Sequence, residues 1–228
     1  MRAAGSHTSP VPRTVRLAPL GVLSACAPAS VGSFPPEDPE LSAANAATGD
    51  PFAGRFPYED AVAGLPSGRP RAKLVTDAGE VHCDLAFDTA PLAVANFIGL
   101  ARGLRPWRDA DSGEWRSEPY YVDLPWHRVQ ERQFVQTGLR GEGPGADASV
   151  GFVLQDERSI GTVFDKPGVL ALANGGVPNS SAGQFFITTE VARSLDEQYT
   201  IIGRCDGVLV VRDLEQRVLA GERPTITT

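Results

Sequence analysis

At 228 residues the chain is long enough for one sizeable domain, and a hydrophobic content of 42% suits a globular core. A net charge of −7 and a pI near 5.0 argue against nucleic acid as a partner, because phosphate binding needs clustered Lys and Arg and the densest basic stretch, Arg69 to Lys73, is short. Cys26, Cys83 and Cys205 lie far apart, and His7, His82 and His127 show no zinc-ligand spacing, so neither a metal nor a cofactor is expected.

The N-terminus carries Arg2, Arg13 and Arg16 with no acid before Glu37, followed by a short apolar run from Leu17 to Ala25. This is the charge-then-apolar layout of a secretory signal over residues 1–25, and the run is too short to span a bilayer as a helix. It ends in Leu23-Ser24-Ala25-Cys26, which resembles a bacterial lipobox; that resemblance implies a diacylglyceryl group on Cys26, an exported chain and a lipid anchor on the periplasmic side of a membrane. The plainer reading, an incidental cysteine in an Ala/Pro-rich leader, stands beside it. Residues 26–70 are expected to be a Pro/Ala-rich tether and lead-in, of which 27–55, rich in Pro, Ala, Ser and Gly, is too polar to pack. The folded domain is expected over residues 71–228, starting near Arg55 to Lys73.

Residues 73–85 alternate apolar and polar around Asp77-Ala78-Gly79, a hairpin signal. Residues 89–103 place Pro91 at a helix start, apolar side chains at 92, 94, 97, 98, 100 and 101, and Gly103 as a stop. The polar, turn-rich stretch 104–124 predicts a surface loop or hairpin. In residues 125–138 two strand segments flank the charged turn Gln130 to Gln133, and a glycine-rich loop follows from Gly138 to Gly151. Short β-type runs occupy 169–173, 184–189 and 199–204; a helix over 206–220 and a last strand near Thr225 close the chain. Many short strands with two helices predict an antiparallel barrel or sandwich.

No Gly-x-Ser-x-Gly, phosphate-cradling loop or His-paired nucleophile appears. Cys83 and Cys205 fall in strands, where buried thiols are common; in an exported domain they could instead pair, and the sequence leaves both readings open.

Six segments in register carry a resemblance: Ala95 to Gly103, Pro125 to Val129, Phe134 to Gly138, Leu172 to Gly176, Gln184 to Thr188 and Leu195 to Gly203. They resemble the cyclophilin family from about Arg71 to the C-terminus. The resemblance implies a mainly β fold, a closed eight-stranded antiparallel β-barrel capped by two α-helices, with a peptide groove on one outer face. It also implies a peptidyl-prolyl cis-trans isomerase acting on proline-containing polypeptides as a monomer.

 Arg128 falls at the position of an arginine that points at the prolyl nitrogen, and Gln136 and Phe134 complete the implied catalytic set. Ala173, Asn174, Gln184, Phe186, Leu195 and Tyr199 match substrate-groove positions, and His127 and Gln133 are included with them.

The resemblance has two departures. Counted without gaps from Arg128 or from Gln136, the main proline-pocket phenylalanine of the family falls on Gln133, with Phe134 one residue later; the sequence leaves open which of the two lies on the pocket floor. Ser194 stands where the family often has tryptophan. A proline-peptide-binding or chaperone module with weak or no isomerase activity is therefore the alternative function.

Overall fold

The computed structural model describes residues 32–140, 150–158 and 161–227. The signal-like segment, Cys26 and Gly141 to Gly145 of the glycine-rich loop lie outside them.

Strands β1 (Arg71–Thr76) and β2 (Gly79–Leu85) form the expected hairpin, paired from Arg71↔Asp84 to Thr76↔Gly79. Helix α3 spans Pro91–Arg102; it follows two short helices upstream, α1 (Pro39–Ala47) and α2 (Tyr58–Val62). Pro91 starts α3 where a missing N–H costs nothing, and Gly103 ends it at φ 72, a left-handed conformation that glycine adopts without a Cβ clash. The stretch after it forms a hairpin, β3 (Trp107–Arg108) with β4 (Trp115–Arg116). Its flanks are not surface as expected: Arg105, Trp107, Tyr120 and Tyr121 are buried, and the Tyr121 hydroxyl donates to the Gly183 carbonyl at 2.8 Å.

The remaining strands are β5 (Arg128–Gln130), β6 (Phe134–Thr137), β7 (Val169–Leu172), β8 (Phe185–Thr188), β9 (Ile201–Cys205) and β10 (Ile226–Thr227), with helix α4 (Val208–Leu219) before the last. Eight strands make one antiparallel sheet in the order β10-β1-β2-β9-β7-β8-β6-β5. Its two edges are linked as well: Trp126 N–H donates to the Pro224 carbonyl at 2.8 Å and Ile226 N–H to the Leu124 carbonyl at 2.9 Å. The mainly β, cyclophilin-like architecture thus agrees with the sequence reading.

Alternation along the strands sorts apolar side chains onto two faces. Val135, Leu170, Leu172, Phe185, Ile187 and Ile202 enter the main core, while Phe134, Val169, Ala171, Phe186 and Ile201 belong to a second apolar cluster. Cys83 and Cys205 sit directly opposite each other on β2 and β9 and are joined by a disulfide.

One expectation is overturned. Much of the stretch 27–55, read as a tether too polar to pack, is folded against the barrel from Gly32 onward, as is the lead-in that follows it. Asp38 caps α1 by accepting from the Glu40 and Leu41 N–H groups, each at 3.1 Å. Asn45 brackets Val153, donating to its carbonyl and accepting from its N–H, both at 2.9 Å. Asp50 meets Arg105, and Phe56, Tyr58 and Ala61 join the main core. Asp38, Asn45 and Asp50 are paired, and Phe56 and Tyr58 supply apolar area that average composition concealed. At its start Gly32 donates to the Phe87 carbonyl at 3.2 Å, and a Cβ there would come within 2.4 Å of the Asp88 carbonyl oxygen, so the backbone lies flat on the β2–α3 connection.

Candidate active site

The hairpin β5–β6 pairs Arg128 with Gln136 and Gln130 with Phe134. Gln136 is in turn opposite Phe186 on β8, and Phe186 opposite Ala171 on β7. Directly opposed residues of antiparallel strands share a face, so Arg128, Gln136, Phe186 and Ala171 form one row across the sheet. Phe134, two residues before Gln136, joins them on that face.

Within the row the polar groups form a relay. Arg128 Nη1 donates to Gln136 Oε1 at 2.8 Å, and Gln136 Nε2 donates to Gln184 Oε1 at 2.8 Å. Gln136 is buried, so its amide is held in place, while Arg128 is exposed and keeps other guanidinium donors at the surface. The guanidinium carbon lies 5.2 Å from the Phe134 ring centroid, a cation–π distance that seats the arginine over an aromatic.

Beneath it the aromatics touch in sequence. Phe134 and Phe186 have centroids 4.7 Å apart, Phe186 and Tyr199 meet edge-on at 5.0 Å, and Phe164 stacks on Phe186 at 5.9 Å. Leu195, on a 3-10 turn over Arg193–Leu195, belongs to the same cluster. Phe134 packs on Phe186, whereas Gln133 lies in the turn, its carbonyl accepting from Thr189 N–H at 2.9 Å. Ala173 N–H donates to the Gln184 carbonyl at 2.9 Å, and Asn174 Nδ2 donates to the Gln198 carbonyl at 2.9 Å, which fixes the far wall.

His127 is half-buried beside Arg128. Burial holds its imidazole below the usual histidine range, against hydrogen bonding with the Pro125 backbone and the Gln184 side chain; Arg128 and Arg223 add to the lowering. Its neutral form is favoured, so it adds no charge next to the guanidinium.

Phe164 was not visible as a site residue in the sequence. It stands alone between Thr162-Val163 and Asp165-Lys166, with no periodic pattern to mark it, and reaches Phe186 because its N–H donates to Asp196 Oδ1 at 2.8 Å and its carbonyl accepts from Ala192 N–H at 3.0 Å.

The site therefore combines an anchored hydrogen-bond donor, an amide relay and an aromatic cluster on the outer face of a β-barrel. Among the described residues it holds no paired nucleophile and base. A family model described as cyclophilin type peptidyl-prolyl cis-trans isomerase matches residues 71–227. The chain is 34% identical over 169 residues to peptidyl-prolyl cis-trans isomerase A of Mycobacterium tuberculosis, covering 74% of this chain and 88% of that relative. It is 34% identical over 137 residues to isomerase B of Streptomyces anulatus, covering 60% and 76%. A crystal structure of a Cryptosporidium parvum cyclophilin type isomerase shares the fold at a TM-score of 0.54 and 23% identity, over 69% of this chain and 93% of that one. The chain belongs to the cyclophilin family of peptidyl-prolyl cis-trans isomerases.

Proposed function

We propose that the protein accelerates isomerisation of the peptide bond before proline in exported polypeptides, with Arg128 as the catalytic donor. The barrier to rotation is roughly 18–20 kcal/mol and arises from amide resonance. Twisting the bond removes that resonance and makes the prolyl nitrogen a better hydrogen-bond acceptor. A guanidinium already in place stabilises the twisted state more than the planar one, which lowers the barrier without proton transfer. The observation that carries this reading is the seating of Arg128, bonded to Gln136 at 2.8 Å and lying over Phe134. Phe134, Phe186 and Leu195 supply the apolar floor for the prolyl ring, Gln136 and Gln184 orient the arginine, and Ala173, Asn174, Tyr199 and His127 border the peptide.

NMR exchange spectroscopy on an Ala-Pro peptide tests the reading. Wild type should speed exchange, and Arg128→Ala should reduce kcat/KM by at least about 100-fold, the scale of losing a preorganised donor. Equal activity in both would remove Arg128 from the mechanism.

A binding module with weak catalysis is the second reading. It draws on the burial of Phe186, 1% exposed among Phe134, Phe164 and Tyr199, which leaves a prolyl ring little of that face to reach without side-chain movement. In that case the peptide would shift the amide spectrum of the protein with no gain in its own exchange rate.

Export and a lipid anchor at Cys26 are part of the same proposal, with the protein acting as a monomer on the periplasmic side of a membrane and not on nucleic acid. The Cys83–Cys205 disulfide supports an oxidising compartment. Mass spectrometry of the mature N-terminus should find a diacylated cysteine at position 26; an unmodified chain beginning elsewhere would end the anchor claim.

A further inference from the structure

The β5–β6 turn is the place where this chain departs from its family, and its local sequence admits two registers, one with Gln133 and one with Phe134 on the floor. A one-residue slip moves every side chain of a strand to the other face, so something outside the turn must select the register. Arg132, in the middle of the turn, adopts φ 57, a left-handed conformation unfavourable for a residue with a Cβ. Its N–H donates to Glu215 Oε1 at 2.7 Å. Glu215 lies on α4 and is 4% exposed. The same oxygen accepts from Thr189 Oγ1 at 3.0 Å, and the Thr189 N–H holds the Gln133 carbonyl at 2.9 Å. Arg212, also on α4, donates from Nε to the Thr189 carbonyl at 3.2 Å. Two consecutive turn residues, Arg132 and Gln133, are thus held by one buried carboxylate, directly and through Thr189.

We propose that Glu215 is a positioning residue for the isomerisation, locking the turn in the register that puts Phe134 under Arg128. The proposal rests on the catalytic role given to Arg128. A carboxylate buried on a helix is costly unless it is hydrogen-bonded, and here the donors to Oε1 are the Arg132 N–H in the turn and the Thr189 hydroxyl just past β8. The link acts from behind the hairpin: Glu215 touches no substrate, and its effect reaches the reacting bond only through the placement of Phe134 and Arg128.

The test uses the full chain with Glu215→Ala, Glu215→Gln and Thr189→Val, each alone and the first also combined with Arg128→Ala. The readout is kcat/KM on an Ala-Pro peptide, with hydrogen exchange at the Arg132 amide. Glu215→Ala should lose roughly tenfold in kcat/KM, the scale of a small misplacement, and Arg132 should exchange faster. Glu215→Gln keeps an acceptor oxygen and should stay within about threefold of wild type. In the Arg128→Ala background Glu215→Ala should cost less than it does alone, because part of its effect runs through the arginine. Full activity in Glu215→Ala, a loss that adds to that of Arg128→Ala, or a Gln variant as damaged as the Ala variant overturns the proposal. If Glu215→Ala does not fold, Thr189→Val decides: a several-fold loss supports the lock and unchanged activity refutes it. Failure of wild type to catalyse, or an Arg128→Ala protein as active as wild type, would instead overturn the mechanism beneath it, a result distinct from any of these.

Discussion

Asp50 and Arg105 form a fully buried, bidentate ion pair, with both guanidinium nitrogens 2.7 Å from a carboxylate oxygen. Arg105 Nε donates to Asn96 Oδ1 at 2.9 Å, and the Phe152 ring centroid lies 3.7 Å from the guanidinium carbon. The pair joins a segment that precedes the family-matched region to the connection just after α3, within it. Removing Asp50 leaves a charged guanidinium with no counter-charge in the core. Asp50→Ala should therefore destabilise the fold by about 3–5 kcal/mol, measured by urea denaturation, and a chain beginning at Arg71 should fare no better. Replacing both partners, Asp50→Leu with Arg105→Met, should cost much less. A destabilisation below about 1 kcal/mol for Asp50→Ala would show that the pair is dispensable.

Phe134, packed on Phe186, is the proposed pocket floor in preference to Gln133. Phe134→Ala should lower kcat/KM on an Ala-Pro peptide by about tenfold or more through lost apolar contact. Gln133→Ala, which keeps the carbonyl bonded to Thr189, should stay within about twofold, since surface changes have small effects. The reverse ranking would place Gln133 at the substrate.

Glu157 links the groove side of the barrel to α3. Its carboxylate oxygens accept from the Leu92 and Ala93 N–H groups at 3.1 and 2.7 Å. Burial nonetheless pushes its carboxyl up to about 7, against the pull of those two donors and of Arg55. Between pH 4.5 and 7 the folded chain then holds a proton that the unfolded chain has released, so this group's contribution to stability falls as pH rises across that window. The full effect is about 3 kcal/mol. His127 acts in the opposite direction: with its folded value lowered, stability is lost as pH falls below about 6.5. Denaturation at stepped pH should show the Glu157 decline in wild type and not in Glu157→Gln. Identical slopes in the two proteins would mean that Glu157 stays ionised.

The Cys83–Cys205 disulfide spans 122 residues of chain. Closing so long a loop in the unfolded state should contribute up to about 5 kcal/mol, so Cys83→Ser with Cys205→Ser should lower the urea midpoint clearly, and reductant should affect wild type but not the double variant. No difference between oxidised and reduced wild type would contradict the link.

The parts legible in the sequence were those with a local signature. Helix α3 shows its period, its Pro91 start and its Gly103 stop within fifteen residues of chain, and the β1–β2 hairpin shows alternation around a turn. Arg128, Gln136 and Gln184 were readable only because they stand in recognisable segments; their hydrogen bonds depend on the β5–β6–β8 register. What escaped was non-local. Asp50 reads as a solvated acid until Arg105 is placed beside it, and Glu215 reads as one more acid on an amphipathic helix until the turn at Arg132 folds over it. Cys83 and Cys205 could be assigned to strands, but their pairing depends on β2 and β9 being neighbours.

The docking of Gly32 against Phe87 sets a length scale. Gly32 lies six positions after Cys26, and a fully extended chain of that length reaches about 20 Å. A free tether from Cys26 to Pro70 would have allowed about 150 Å. With a lipid on Cys26, the β2–α3 corner of the barrel is kept within a protein radius of the headgroups. The enzyme would then serve chains at the membrane surface and leave the deeper periplasm out of its reach.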